Sequence, residues 1–389
     1  MPLFLCRVLL PGLLALAVGA NAAAAPKPST AKPRKPAVRS DHAPDAVTYG
    51  SRPDVVAFAD DTALTLGLDR EQVRAALAEA RYLPSVARLI MPPPAGTAKN
   101  WRAYRARFVD AERVRAGAAF WDAHRRWLDA ANARYGVPPE IVVGIIGVET
   151  YYGRLMGNFR VLDALATLAF DFPPGRKDRS EFFRRELQQL LLLADRDGVP
   201  AAAIRGSYAG AIGLGQFMPG SILRFAVDGD GDQRIDLRDD PADVVASIAH
   251  FLAVHGWQPG LPTHFAVKPP VDTADRATLL APDIVPSFSA AQFAERGAVL
   301  DDAGRMHAGA LALIELQNGD AAPSHIAGTR NFYALTRYNW SSYYALAVIE
   351  LGRAVREARE LRDAREARAP AAPGPVMPPP AEPAASSPR

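Results

Sequence analysis

Ile141-Val142-Val143-Gly144-Ile145-Ile146-Gly147-Val148-Glu149-Thr150-Tyr151-Tyr152-Gly153 runs eight apolar or glycine residues without a polar break into one glutamate. Pro138 and Pro139 stand just before it, and proline opens helices well because the first turn needs no N–H donor there. The stretch is apolar all round, which reads as a buried helix. Gly144 and Gly147 weaken its intrinsic stability, so they are expected to admit a close neighbour. A carboxylate ending such a helix should be partly desolvated, which raises its pKa and favours the protonated form. That is what a general acid needs in order to protonate a glycosidic oxygen. The alternative is an acid that marks where the helix meets water, or that pairs with Arg154.

Working outward, the flanking sequence is helical. Asp69 to Tyr82 has strong helix formers with apolar spacing at Val73, Leu77 and Ala80. The spacing of Phe108, Val114, Phe120, Trp121, Trp127 and Leu128 predicts helix across Trp101 to Tyr135, closed by Gly136 as a C-cap. Further helices are expected over Ser180–Asp197, Val244–His255 and Tyr343 to about Arg368. Residues 263 to about 336 differ, with shorter apolar runs and more Pro and Gly breaks; Gly309 to Gln317 is the best strand candidate. The expectation is a mainly α (α+β) protein with a small β-containing insertion.

The ends are unlike the body. Leu9 to Gly19 is an apolar run of signal-peptide length followed by Ala20-Asn21-Ala22, so residues 1–25 read as an export signal. The run is too short for a transmembrane span. Cys6, the only cysteine, lies inside residues 1–25 but before the apolar run, so neither a disulfide framework nor a lipid anchor is expected. Residues 26–46 are basic and rich in Pro and Lys, and residues 370–389 hold eight prolines; both read as disordered. The net charge of +3 rests on Arg7 and the five basic residues from Lys27 to Arg39, without which the rest stands at −3. Nucleic-acid binding has little electrostatic support.

Two later stretches carry polar and aromatic groups beside glycine. Ser207-Tyr-Ala-Gly-Ala-Ile-Gly-Leu-Gly-Gln216-Phe-Met-Pro219 packs glycines among small residues, a composition that lets backbone approach a ligand, or simply makes a tight turn. Thr336-Arg-Tyr338-Asn339-Trp-Ser-Ser-Tyr-Tyr344 alternates aromatic faces with hydrogen-bonding tips, which suits sugar rings. GVETYYG, GSYAGAIGLGQFMPGS and TRYNWSSYYALAV, in that order, resemble the signature blocks of the lytic murein transglycosylase B family (glycoside hydrolase family 103 type), over about Val47 to Gly352.

The resemblance implies a lysozyme-like core (about 137–262 and 336–362), a helical part (about 47–136) and a small β-containing part (about 263–335). Residues 363–389 would be a disordered tail. It implies cleavage of the β-1,4 bond between N-acetylmuramic acid and N-acetylglucosamine, leaving 1,6-anhydromuramoyl ends. Glu149 would be the single acid/base. Ser207 and Gln216 match positions that contact the sugar or the glutamate, and Tyr338, Asn339 and Tyr344 match a third wall of the cleft. The family's arginine contact falls on Arg176 or Arg179. No second carboxylate stands out; Asp163 reads better as an N-cap. The implied setting is the periplasm, with peptidoglycan glycan strands as ligand, cell-wall synthesis or remodelling proteins as candidate partners, and a monomeric enzyme. Two alternatives are a muramidase that hydrolyses the same bond and an inactive, calcium-stabilised peptidoglycan-binding module.

Asp228-Gly-Asp230-Gly-Asp232-Gln-Arg234-Ile-Asp236-Leu-Arg-Asp239 has acids at loop positions 1, 3, 5, 9 and 12 and an apolar residue at 8, the oxygen spacing of an EF-hand calcium loop. Gln233 stands where the sharp turn prefers glycine, and Asp239 is a methylene short of the usual glutamate. The family's version closes later, so Asp243 is expected as the last ligand, with Arg234 giving only its carbonyl. A structural Ca2+ is expected, since nothing in the sequence places this loop beside Glu149.

Overall fold

The computed structural model describes residues 47–92 and 99–368. The expected export signal, the basic tail and the Pro/Ala-rich end lie outside these. Helices α1 (Pro53–Leu66), α2 (Arg70–Ala78), α3 (Pro84–Leu89), α4 (Trp101–Ala106), α5 (Ala111–Ala123) and α6 (Arg125–Tyr135) form the first part. Asp69 caps α2 by accepting the Gln72 N–H, so that helix starts as the sequence implies and ends at Ala78, short of Tyr82. The helix expected across Trp101–Tyr135 is three helices. Asp110 stops the first run by capping α5, its side chain accepting the Arg113 N–H, and His124 (φ −117°) breaks α5 from α6. Gly136, at φ 66°, is the expected C-cap.

The apolar stretch is α7 (Pro139–Thr150), with every residue from Ile141 onward buried. Strand β1 (Phe159–Arg160) leads into α8 (Val161–Phe170) and α9 (Ser180–Arg196), and pairs antiparallel with β2 (Arg205–Gly206). Asp163 is not the N-cap of α8. It sits inside the first turn, buried, where it accepts the Arg81 N–H at 3.1 Å and faces Arg160 at 3.4 Å. Helices α10 (Pro219–Phe225) and α11 (Pro241–Val254) complete this layer.

The β-containing insertion mixes strands with short helices. Strands β3 (His264–Lys268), β4 (Val299–Leu300), β5 (Ala312–Asn318) and β6 (Ala321–Gly328) form an antiparallel sheet in the order β4-β3-β6-β5, interleaved with short helices α12 (Thr273–Leu280), α13 (Ala290–Glu295) and α14 (Asp302–Arg305). Side chains alternate across a strand, and β5 uses both faces. Leu313 joins a small core with Phe265, Leu279, Phe293 and Ala327, while Ala312, Ile314 and Leu316 join the main helical core.

The chain then returns through α15 (Arg330–Tyr338) and α16 (Ser342–Arg368). α16 packs along α7 at backbone distance: a Cβ on Gly144 would lie 2.3 Å from the Val348 carbonyl oxygen, and one on Gly352 would lie 2.0 Å from that of Glu140. The glycines thus seat the catalytic-candidate helix against its neighbour. Beyond Gly352, α16 continues to Arg368, as the helical pattern from Tyr343 implies, and so passes residue 362, where the family resemblance set the start of a tail. Asp122 of α5 holds Arg359 and Arg362, and Arg356–Glu360 and Arg362–Glu366 pair along the helix.

Candidate active site

α7 ends in strained backbone. Tyr151 (φ 52°) and Tyr152 (φ 56°) are consecutive non-glycine residues in the left-handed region, followed by Gly153 at φ 91°. Packing holds them there. The Tyr151 ring lies between the guanidinium groups of Arg113 and Arg154, at 4.5 and 4.6 Å. The Tyr152 hydroxyl occupies space beside Gly117 and Gly147 that any side chain would fill. Thr150 ties the turn to the glycine-rich loop, donating to the Leu214 carbonyl at 2.9 Å while accepting the Gly153 N–H. These contacts explain two tyrosines and a glycine after the glutamate.

Glu149 is 7% exposed. Burial raises its carboxyl pKa from 4.5 to about 7, with the Tyr344 hydroxyl acting in the opposite sense. Arg154 pairs with Glu112, so the reading of Glu149 as its partner fails. A cavity of about 370 Å³ opens on Glu149, and Ser207, Gln216, Tyr338 and Asn339 line it with Phe217. The Ser207 hydroxyl accepts the Ala211 N–H at 3.0 Å, so it braces its own turn while facing the cavity. Gln216, itself at φ 52°, gives its amide N–H to the Met156 and Gly213 carbonyls, which leaves its amide oxygen without a protein donor among the described residues. Tyr338 donates to the Gly215 carbonyl at 2.5 Å. The Asn339 side-chain oxygen is buried without a partner among the described residues.

Tyr344 differs from expectation. It is 2% exposed and sits behind Glu149 rather than in the cavity wall, stacked on Tyr338 at 6.4 Å. Its hydroxyl faces the glutamate without a hydrogen bond of full geometry. Neither Arg176 nor Arg179 lines the cavity: Arg176 donates to the Ile90 carbonyl, and Arg179 lies over Phe182 at 4.6 Å. The guanidinium groups on the wall are those of Arg224 and Arg337.

Sequence reasoning also passed over two groups. Tyr104 of α4 lies close enough for the Glu149 charge, after burial, to help raise its pKa to about 12. Glu186 of α9 is a second buried carboxylate on the cavity wall. It accepts the Gly220 N–H at 2.8 Å at the start of α10, and burial raises its pKa. Its signal was an acid on the apolar face of the Ser180–Arg196 pattern.

In the acidic loop, ligand oxygens of Asp228, Asp230 and Asp232 lie within 4.8 Å of one another, as do those of Asp230, Asp240 and Asp243. Backbone N–H groups aim the carboxylates: Gly231 and Gln233 donate to Asp228, Arg234 to Asp232, and Gly229 and Asp236 to Asp243. Gln233 adopts φ 72°, the left-handed turn where glycine was preferred. Asp236 instead accepts the N–H groups of Arg238 and Asp239, and Asp240, overlooked in the sequence, joins the cluster. Asp243 is buried, and its pKa is raised by burial first and by Asp240 and Asp228 as well. The loop is also nearer the cavity than its position in the chain suggests: the Leu237 carbonyl accepts the Leu214 N–H at 2.9 Å.

The Transglycosylase SLT domain family matches residues 50–353. The chain belongs to this family. Among its relatives, membrane-bound lytic murein transglycosylase B of Escherichia coli (strain K12) is 38% identical over 328 residues, covering 79% of this chain and 84% of the relative. The Escherichia coli lytic transglycosylase Slt35 in complex with calcium superposes with a TM-score of 0.68 at 38% identity, over 79% of this chain and 94% of that one. SltB3 from Pseudomonas aeruginosa, in complex with NAG-anhNAM-pentapeptide, gives a TM-score of 0.65 at 32% identity, over 77% of this chain and 78% of that one. The SLT-domain family thus accounts for the mainly helical architecture with its small sheets.

Proposed function

We propose that this SLT-domain chain is a peptidoglycan lytic transglycosylase with Glu149 as its single acid/base. The observation that carries the reading is a carboxyl group held near neutral pKa by burial, at the wall of a cavity lined by hydroxyl, amide and aromatic side chains. Protonated Glu149 gives its proton to the glycosidic oxygen as the C1–O4 bond of the N-acetylmuramic acid residue breaks. The acetamido group of that residue stabilises the developing positive charge at C1. Its 6-hydroxyl oxygen then bonds to C1, and the hydroxyl proton returns to the Glu149 carboxylate, leaving a 1,6-anhydro end and the acid regenerated. Ser207, Gln216 and Asn339 orient the sugar, and Tyr344 steadies the carboxylate from behind.

Glu186 gives hydrolysis a specific second reading, because a second carboxylate could activate water. Its engagement with the Gly220 N–H at a helix start favours a capping role. Mass spectrometry of digested sacculi decides between the two. The expected products are 1,6-anhydromuropeptides, lost in Glu149→Gln; products heavier by one water, with reducing muramic acid, would establish hydrolysis. Release of no muropeptide by the folded wild type would leave only a binding module.

The acidic loop fits a hard divalent cation, offering only carboxylate and carbonyl oxygen, with no Arg or Lys pairing to its acids among the described residues. Asp228, Asp230, Asp232 and Asp243, with Asp240, would hold Ca2+, and Arg234 would add its carbonyl. The ion would fix the loop. Residues 1–25 would direct export to the periplasm; among the described residues no helix is long and apolar enough to cross a membrane.

A further inference from the structure

The tip of the β5–β6 hairpin reaches out of the insertion to the start of α4. Asn318 pairs with Asn100 in an isolated antiparallel bridge, and the Gly319 N–H donates to the Lys99 carbonyl at 3.0 Å. Gly319 takes φ 65°, and a Cβ there would stand 3.1 Å from the Asn100 side-chain amide. Asn318 is 4% exposed, and its side chain bonds in two directions. Its amide nitrogen stays within the hairpin, donating to the Ala322 carbonyl at 3.0 Å and the Ser324 hydroxyl at 3.1 Å. Its oxygen leaves the hairpin and accepts the Arg102 N–H at 3.3 Å.

Helix α4 needs that acceptor. It has six residues, too few to hold together alone in water, and the first N–H groups of a helix have no partners inside it. Asn100, the N-cap, accepts the Ala103 N–H at 3.0 Å. The Arg102 N–H finds its acceptor 216 residues away in the chain, on Asn318. β5 adds a second hold through Tyr343, whose hydroxyl accepts the Gln317 N–H at 2.7 Å and whose ring meets Trp101 and Tyr104 edge-on at 6.1 and 5.8 Å. At the other end of the helix, Arg105 pairs with Glu350 of α16.

What α4 presents to the cleavage site is Tyr104. Three hydroxyl groups feel the Glu149 charge: those of Tyr104 on α4, Tyr338 on α15 and Tyr344 on α16. Burial first, and that charge next, raises the pKa of each, so all three are neutral at pH 7; Arg107 acts in the opposite sense on Tyr104 alone. The Glu149 pKa is itself raised by burial, against the Tyr344 hydroxyl. It therefore depends on neighbours that keep water out, and one of them stands on a helix that the insertion caps.

We propose that Asn318 is a positioning residue for cleavage: by capping α4 from the insertion, it keeps Tyr104 against Glu149 and water away from that carboxyl. The proposal rests on the reading of Glu149 as the acid. It gives the insertion a task in the reaction without contact to the sugar.

Two readouts test it, and one does not depend on turnover. In Asn318→Ala the Arg102 and Tyr104 amides should exchange hydrogen about tenfold faster than in wild type, the scale of one lost hydrogen bond to a buried group. Ser324→Ala removes a bond inside the hairpin but not the one to Arg102, and should leave those amides unchanged. The second readout is the fall of sacculus cleavage as pH rises. In Asn318→Ala it should move down by about one pH unit as water reaches Glu149, which lowers the rate at pH 7 about fivefold. Ser324→Ala should keep the wild-type profile, and on a Tyr104→Ala background Asn318→Ala should move it no further. Melting midpoints report folding; if Asn318→Ala does not fold, Asn318→Ser takes its place, since its hydroxyl can bond within the hairpin but falls short of Arg102. Unchanged exchange overturns the clamp. Faster exchange with an unmoved profile overturns the positioning role, and so does a profile that moves equally in Ser324→Ala. A wild-type rate that does not fall through pH 7 would instead refute Glu149 as the acid, and exchange alone would then decide the clamp.

Discussion

As the proposed acid, Glu149 would tie activity and stability to one ionisation. Its folded pKa of about 7 lies above the ordinary 4.5 because burial penalises the charged form. Between those values the native state holds more protons than the unfolded chain, so stability falls as pH rises through pH 4.5 to 7. Fully developed by pH 8, the cost is on the order of 3 kcal/mol. Glu149→Gln should therefore be inactive yet melt above wild type at pH 8, with the gap narrowing towards pH 5. A gap that does not change with pH would mean that the carboxyl is as well solvated as in an unfolded chain. Wild-type cleavage should decline as pH rises through about 7, because the acid must be protonated, and a rate still climbing there would contradict the assigned role. Its burial was legible in the sequence, from its place at the end of an all-apolar helix, whereas its role rested on the family resemblance. Tyr104 was not legible, because no local pattern shows that a tyrosine on a separate short helix will meet that acid. Tyr344 was expected in the wall from the family resemblance, which does not tell the front of a carboxylate from its back.

At the scale of elements, the site depends on how closely α7 and α16 approach. Gly144→Ala puts a methyl group 2.3 Å from the Val348 carbonyl, closer than any real contact, and backbone cannot swing aside as a side chain can. The expected loss is about 1–3 kcal/mol of stability from overpacking, with activity lowered as Glu149 shifts with its helix. Denaturant unfolding checks it, and an Ala variant as stable as wild type would mean that the helices separate at little cost. The sequence announced this interface, because glycines inside a greasy helix need a reason. It did not announce the breaks in residues 101–135, where apolar spacing continues across Asp110 and His124 while caps interrupt the hydrogen-bond ladder. Asp163 misled for a related reason: an acid near a helix start reads as a cap, but this one bonds a backbone N–H from residue 81. The reach of α16 to Arg368 was legible in its residue pattern, but its partner Asp122 was not, because it lies far away in the chain.

Across the whole molecule, the acidic loop and the cleavage site are joined by short hydrogen bonds. Leu237 of the loop accepts from Leu214, and Leu214 accepts from Thr150, next to Glu149. Sequence distance hid this link, so a purely structural role is too narrow for the proposed ion. Repulsion among the acids should loosen the loop without a cation, and the loosening should reach the glycine-rich wall. A cation bound only by the folded state stabilises by RT ln(1 + [L]/Kd), about 2.7 kcal/mol at a hundredfold excess over Kd. The left-handed turn at Gln233, taken without glycine, should weaken affinity towards roughly 10⁻⁴–10⁻³ M, the range of extracellular modules. Magnesium should substitute badly because it demands tighter octahedral geometry. Melting curves with EDTA, calcium or magnesium should show the midpoint rising with calcium alone, and calcium alone should raise cleavage in parallel. Asp228→Ala should lose both responses. A wild-type midpoint unmoved by calcium well above that range would remove the ion from the account. A midpoint that rises while cleavage stays constant would keep the ion but sever its link to the cleft, returning the loop to a stabilising role at a distance from Glu149.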